Sequence, residues 1–492
     1  MCLPTQMLVT QELAAQGARF GDRTAVAVDR GPTLTYGEWD RAASAVARGM
    51  AAAGIHRGDR VVLLLTNSEA CDFAVAFAAC HRVGAAAVPV NPRYAAHELN
   101  HILTDSGARL VVAGSEASRV HGVPARSCAE LATSDDSPFA IELAPEDLSE
   151  IFYTSGTTAL PRGVASTHAN HARDHGMAPL ESGGVLLHSI PLATFTGVQG
   201  GVLTPLRLGV TALVLPRFDT ARFAELIDTK HPLWLLMVPA HILLLLESGV
   251  LESTDTSTVA IAMFGGAPTP PAAVLRLGEL LPNAMLLNGY GLTEGGGSVC
   301  VLPPGEAVRR PGSVGKPMRG VEVRIVDADS GEPVPVGDTG EIALRVPEGE
   351  RRYWNDAAAS ARTWRDGWVH TGDLGRLDDD GFLYVVDRAK DVINRGGYNV
   401  ASVEVEAAIH EQPDIAECAV VGVPHPILGQ DVAAVVRLRD GAPEITLEDL
   451  RARLTNRLAD YKLPRVLVLA TEPLPRNAAG KLDKASIAEL TK

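Results

Sequence analysis

Positive charge is in short supply in this 492-residue chain: 44 Lys and Arg stand against 59 Asp and Glu, a formal net charge of −15. The basic residues are scattered, and a phosphate backbone needs a basic face, so nucleic acid is excluded as the main partner. Cysteine is scarce as well. The six cysteines (Cys2, Cys71, Cys80, Cys128, Cys300 and Cys418) form no CxxC pair and no regular spacing, so they read as free thiols in a reducing compartment. Long hydrophobic runs are missing. The N-terminal "MCLPTQMLVTQEL" lacks the basic start and apolar core of a signal peptide, and "LWLLMVPAHILLLLESGV" is interrupted by Pro239, His241 and Glu247. A buried strand, turn and helix are expected there instead of a membrane span, and a cytoplasmic location is the corresponding expectation. Two phosphate signatures are absent too. No loop has the Gly-Lys-Ser/Thr of nucleotide hydrolases, and "GYGLTE" places Glu294 where a dinucleotide fingerprint needs its third glycine.

What is present describes a soluble globular protein, with 46% apolar and 21% charged residues and length for two or three domains. The first part alternates helix and strand. "TYGEWDRAASAVARGMAAAG" has helical spacing and ends on Gly54, a C-terminal cap; "DRVVLLL" reads as a buried strand, "EACDFAVAFAACHRVG" as a helix and "AAAVPV" as a strand. The rhythm returns in "GVTALVLP", "LWLLMVP", "TVAIAMFGGAP" and "AMLLNGYGLTE". Such alternation predicts an α/β fold with mostly parallel sheet, which binds ligands at the carboxyl ends of its strands. Beyond Val314, "GVEVRIVDADSGEPVPVGDTGEIALRV" alternates apolar residues with turn signals, predicting antiparallel hairpins, and a compact α/β tail follows Asp387.

One stretch calls for an anion. "IFYTSGTTALPRGVASTH" ends an apolar run in small hydroxyl and glycine residues with a cation behind them. Gly156 lets backbone approach a ligand, while Ser155, Thr157 and Thr158 add hydroxyl donors and Arg162 a planar fork for phosphate oxygens. Alone, the loop is equally an ordinary Ser/Thr-rich turn. Three further segments add to it. In "NGYGLTEGGG", Tyr290 can cover a purine, Thr293 can reach a phosphate and Glu294 can hold Mg²⁺. Asp373 in "HTGDLG" can accept from ribose hydroxyls, Arg388 follows it, and "LPRNAAGKLDK" presents Lys481 after a small lead-in.

These four segments resemble the signature motifs of the adenylate-forming superfamily, which includes acyl- and aryl-CoA synthetases, peptide-synthetase adenylation domains and firefly luciferase. The resemblance implies an N-terminal adenylation domain over 1–387, with parallel α/β sheets and a small β-rich subdomain. A hinge at 388–391, centred on Lys390, would carry a mobile α+β lid over 392–492. It implies ATP, Mg²⁺ and CoA as cofactors or co-substrates, with a carrier-protein thiol as another possible acceptor. Thr154 to Gly163 would cradle the β- and γ-phosphates, Thr293 touch the α-phosphate, and Glu294 hold the metal. Tyr290 would meet adenine, Asp373 and Arg388 the ribose, and Lys481 the reacting oxygens. Further nucleotide contacts are implied at Gly266, Ala267, Asn288, Gly289 and Gly291, an acid pocket at Ala193, Thr194, Phe195, Gly265 and Gly295, and a pantetheine tunnel at Gly396 and Gly397.

The chain also departs from that pattern. Ala159 and Arg162 replace a usual Gly and Lys, and Ala193 and Thr194 stand where an aromatic-His pair is frequent. Leu428 occupies the place of a Trp in some aryl-CoA ligases, and Ser402 that of a frequent Pro. The expected activity is adenylation of a small carboxylate followed by transfer to a thiol. An alternative is adenylation of nitrite and its transfer to an aromatic amine, and a third is a nucleotide-binding regulator without turnover.

Overall fold

The computed structural model describes residues 8–154, 160–171, 183–328, 330–347, 349, 351–396, 398–477 and 480–492. The Val/Leu run near the N-terminus forms the strand Arg60–Leu64, buried along nearly its whole length between parallel neighbours Ala86–Pro89 and Leu110–Ala113. The connecting helix Ala70–Val83 is buried nearly all round, because it is held between two sheets and has no solvent face. It stops at Gly84, whose φ of 76° suits glycine and whose N–H reaches the Cys80 and His81 carbonyls. The helix Tyr36–Ala52 begins with a reciprocal cap between Thr35 and Glu38, worth about 1 kcal/mol, and Gly54 follows its end at a φ of 83°.

Among the described residues the strands form four sheets. The first runs Lys316–Pro317, Gly297–Val301, Met285–Leu292, Ile261–Gly265, Trp234–Met237, Val185–His188, Thr211–Val214, Thr24–Val28 and Thr33–Thr35, parallel in its centre. The second places Leu148–Thr154 between Ala86–Pro89 and Arg162–Thr167. The main core lies between these two sheets, where Val26, Leu63, Val112 and Phe152 pack with Tyr36, Phe73 and Phe77 from the helices. The longest apolar stretch is the strand Trp234–Met237 followed by the helix Pro239–Ser248. Among the described residues no helix is long and apolar enough to cross a membrane, and Cys71, Cys80, Cys128, Cys300 and Cys418 are free.

The third sheet is antiparallel, with Glu322–Val326, Gly340–Arg345 and Trp368–Leu377 side by side and Leu383–Arg388 paired to the last. The fourth joins Tyr398–Val400, Ile393–Arg395, Gly429–Leu438, Ile415–His425 and Val466–Leu469 around a separate core of Val405, Ile409, Val420 and Leu450. Lys390 lies exposed in the turn between the third and fourth sheets.

Candidate active site

Strand register brings distant motifs together. The pairing of Trp368–Leu377 with Leu383–Arg388 sets Asp373 directly opposite Arg388. The Arg388 Nε donates to Asp373 Oδ1 at 3.1 Å, and the Tyr290 hydroxyl donates to Oδ2 at 2.7 Å. Tyr290 comes from the first sheet, so this carboxylate ties two sheets together. Burial, then the neighbouring Asp373 charge, pushes the Tyr290 phenol well up, which keeps it a donor at neutral pH. Burial disfavours the Arg388 cation, but Asp373 and Glu294 outweigh it and leave its pKa raised.

Glu294 sits in the short turn Thr293–Gly295 and accepts from the Tyr353 hydroxyl at 2.9 Å. One carboxylate oxygen is thereby oriented and the other is left to a cation. A single carboxylate suits Mg²⁺, which takes few protein ligands and fills its shell with phosphate oxygens and water. Arg162 lies over the Tyr353 ring at 4.9 Å and faces Asp356 at 3.4 Å, so this cation is steered by a ring and an acid.

Lys481 enters from the C-terminal part. Its backbone N–H is held by Asn477 Oδ1 at 3.1 Å, after Gly480 at a φ of 81°. The surrounding protein desolvates the ammonium and, with the Arg388 charge, lowers its pKa, while Asp373 and Glu294 act in the opposite sense. The ammonium therefore lies within electrostatic reach of Arg388, Asp373 and Glu294.

The residues expected to line the acid pocket are apolar and glycine-rich. Thr194 caps the turn Phe195–Val198, accepting from the Gly197 N–H at 3.0 Å and donating to the Pro191 carbonyl at 2.8 Å. Ala193 is buried beside it, and a π-helical turn Gln199–Leu203 follows. The Phe195 ring packs edge-on against Phe152 at 5.1 Å and lies so close to Gly297 that a Cβ there would be 2.7 Å from it. His188 and Leu236 press on Gly201 and Gly200 in the same way, at 2.8 and 2.6 Å.

Several glycines assigned to ligand approach have a second reason to be glycine. A Cβ on Gly265 would sit 2.3 Å from the Gly289 carbonyl oxygen, and one on Gly291 would sit 1.9 Å from that of Gly297. Adjacent strands impose these two. Gly266 differs: its φ is 85° and open space lies beside it, with exposed Ala267 next. Asn288 is buried and donates to the Ser313 carbonyl at 3.0 Å, Gly163 packs under Trp354, and Gly295 is buried in its turn. Thr154 ends its strand, with its hydroxyl on the Arg162 carbonyl at 3.5 Å. Gly396, just after the strand Ile393–Arg395 of the fourth sheet, is covered by Leu428, 2.9 Å from where a Cβ would be. Ser155, Gly156, Thr157, Thr158, Ala159 and Gly397 lie outside the described residues.

Sequence reading missed Tyr353 and Asp356, which orient Glu294 and Arg162, because "RRYWND" carries no motif and its partners are far away in the chain. It also missed Glu150 and His171, a buried pair 3.2 Å apart. A carboxylate inside the apolar run "LSEIFYT" was the available signal.

The family model for AMP-binding enzymes matches residues 13–354, and that for the AMP-binding enzyme C-terminal domain matches 404–481. A feruloyl-CoA synthase of an Amycolatopsis species is 35% identical over 483 residues, covering 96% of each chain. A long-chain-fatty-acid–CoA ligase of Mycobacterium tuberculosis is 33% identical over 477 residues, with 93% of each chain covered. The solved structure of an o-succinylbenzoate CoA synthetase from Bacillus subtilis, in complex with its acyl-adenylate intermediate, superposes with a TM-score of 0.86 at 27% identity, covering 97% of both chains.

Proposed function

This chain belongs to the AMP-binding enzyme family, and from that premise we propose that it is an ATP-dependent, AMP-forming ligase that activates a small acid and passes it to a thiol such as CoA. A carboxylate resists attack because its charge is delocalised and oxide would have to leave. Joining one of its oxygens to the α-phosphorus of ATP breaks the bond to pyrophosphate and gives an acyl-adenylate. The thiol sulfur then attacks the acyl carbon, its proton is lost to solvent, and AMP departs with the carboxylate oxygen.

The first step brings two anions together, so positioning and charge neutralisation dominate its barrier. Tyr290 and Asp373 hold the nucleoside side, with Asp373 oriented by the Tyr290 hydroxyl and by Arg388. Glu294 would hold Mg²⁺, which when bound neutralises phosphate charge. The hydroxyl and glycine loop ending at Arg162 takes the outer phosphates. Lys481 brings its ammonium to the carboxylate and α-phosphate oxygens, where a unit charge at about 4 Å in a partly screened site is worth roughly 4 kcal/mol before desolvation. What carries this reading is the arrival of Lys481, from the C-terminal part, among Arg388, Asp373 and Glu294.

A second reading rests on the small residues Ala193 and Thr194 in the expected acid pocket: nitrite adenylation with transfer to an arylamine uses the same nucleotide residues. ATP–pyrophosphate exchange across fatty, aryl and amino acids and nitrite separates the two. Exchange with an organic acid followed by CoA thioester formation supports the ligase. Turnover only with nitrite and an arylamine supports the second reading. ATP binding without exchange in any case overturns both and leaves a regulator.

A further inference from the structure

The junction between the third and fourth sheets contains a buried polar cluster that the chemistry above does not use. Asp387, 3% exposed, is the penultimate residue of the strand Leu383–Arg388, and its Oδ2 accepts both the backbone N–H of Ser402 at 2.5 Å and the Ser402 hydroxyl at 2.7 Å. Ser402 is fully buried as the first residue of the helix Ser402–His410. Its hydroxyl in turn accepts from the Lys484 ammonium, which pairs with Glu406 at 2.9 Å. Lys484 opens the helix Lys484–Glu489, so the anchored residue stands one short turn after Lys481. Burial works against the Lys484 cation, but Glu406 and Asp387 outweigh it and keep the group charged.

We infer that Ser402 and Lys484 are positioning residues which, with Asp387, form a latch holding the C-terminal part where Lys481 reaches the cleft. This rests on the two-step reaction proposed above. Asp387 precedes the exposed turn at Lys390, while Ser402, Glu406 and Lys484 follow it. Rotation about that turn carries the last three away together and parts them from Asp387. The Lys484–Glu406 pair survives the motion, and the two bonds at Asp387 are those that open. Elsewhere the two parts meet through longer ion pairs, Glu247 with Arg437 and Arg439 at 3.9 Å. A proline at position 402 would have neither N–H nor hydroxyl and could not make this contact. The latch is therefore a property of this chain's serine.

Ser402→Pro tests it, since proline is favoured at the first position of a helix and the fold should survive. Lys484→Met and the conservative Lys484→Arg complete the set. Adenylation is read by ATP–pyrophosphate exchange with ferulate as probe, or with nitrite if ferulate gives none. For an organic acid, the second step is read by CoA thioester formation from chemically prepared feruloyl-adenylate. The latch predicts that Ser402→Pro and Lys484→Met lose about tenfold in adenylation, keep the second step within about twofold, and that Lys484→Arg restores the first. Equal losses in both steps, or none in either, overturn it. Hydrogen exchange needs no acid: the segments 391–400 and 480–486 must exchange faster in Ser402→Pro and as in the parent in Lys484→Arg. If the parent chain adenylates nothing, the reaction reading fails, and unchanged exchange in Ser402→Pro separately removes the latch.

Discussion

The two walls of the cleft are built on different principles. Among the residues proposed to hold the nucleotide the polar groups are paired with one another: Tyr290 and Arg388 both bond Asp373, and Tyr353 bonds Glu294. Three sheets supply these residues, and the geometry is fixed by strand register and burial. On the proposed acid side the chain offers glycines, a capped turn at Thr194, and the side chains of Leu236, His188 and Phe195 packed against Gly200, Gly201 and Gly297. The first wall can serve any acid, because every acid meets the same ATP. On the proposed function, the second decides which acid enters.

The largest effect should come from Lys481. Lys481→Ala is expected to lower adenylation by roughly 10²–10³-fold while sparing thioester formation from a preformed adenylate. Comparable losses in both steps would break the distinction between the walls. Next, Asp373→Asn removes the charge that both Tyr290 and Arg388 address. It should lower kcat/KM for ATP by roughly 10- to 100-fold and leave the ranking of acids unchanged. Phe195→Ala acts on the opposite wall. By opening the space over Gly297 it should improve a bulky acid relative to a compact one by about tenfold, with KM for ATP unaltered. A change in ATP affinity instead would show that the walls are not separable.

The smallest effect concerns His188, buried against Gly201 behind the acid wall with its Nδ1 accepting from the Ile190 N–H. Burial lowers its pKa to about 4. The unfolded chain binds that proton near pH 6.5, so between 6.5 and 4 the unfolded state holds more protons and stability falls as pH falls. Up to about 3 kcal/mol is lost across that window, and the stability it represents is fully present above it. The melting temperature should decline from pH 6.5 to 4, and His188→Gln should make the decline shallower.

The α/β order was legible because each segment announces itself locally. The strand Arg60–Leu64, the helix Ala70–Val83 and the strand-turn-helix of Trp234–Ser248 follow from apolar runs, helical spacing, and glycine or proline at their ends. The motif residues were legible for a chemical reason: close backbone approach demands glycine, and phosphate demands hydroxyls and a cation. What escaped was pairing at a distance. Tyr353 reaches Glu294 across 59 residues, and Tyr290 reaches Asp373 across 83, which no local pattern encodes. Gly291 shows the same limit from the other direction. A glycine that looks ligand-facing in sequence is equally required by the Gly297 carbonyl of the neighbouring strand, and the strand Met285–Leu292 runs on through it.

The central claim is that an oxygen of the acid becomes bonded to the α-phosphorus of ATP in this cleft. Turnover with a heavy-oxygen-labelled acid, followed by mass analysis of the nucleotide, tests it directly. AMP carrying one labelled oxygen is the predicted result. Unlabelled AMP, or label released only in phosphate with ADP as the nucleotide product, would contradict it.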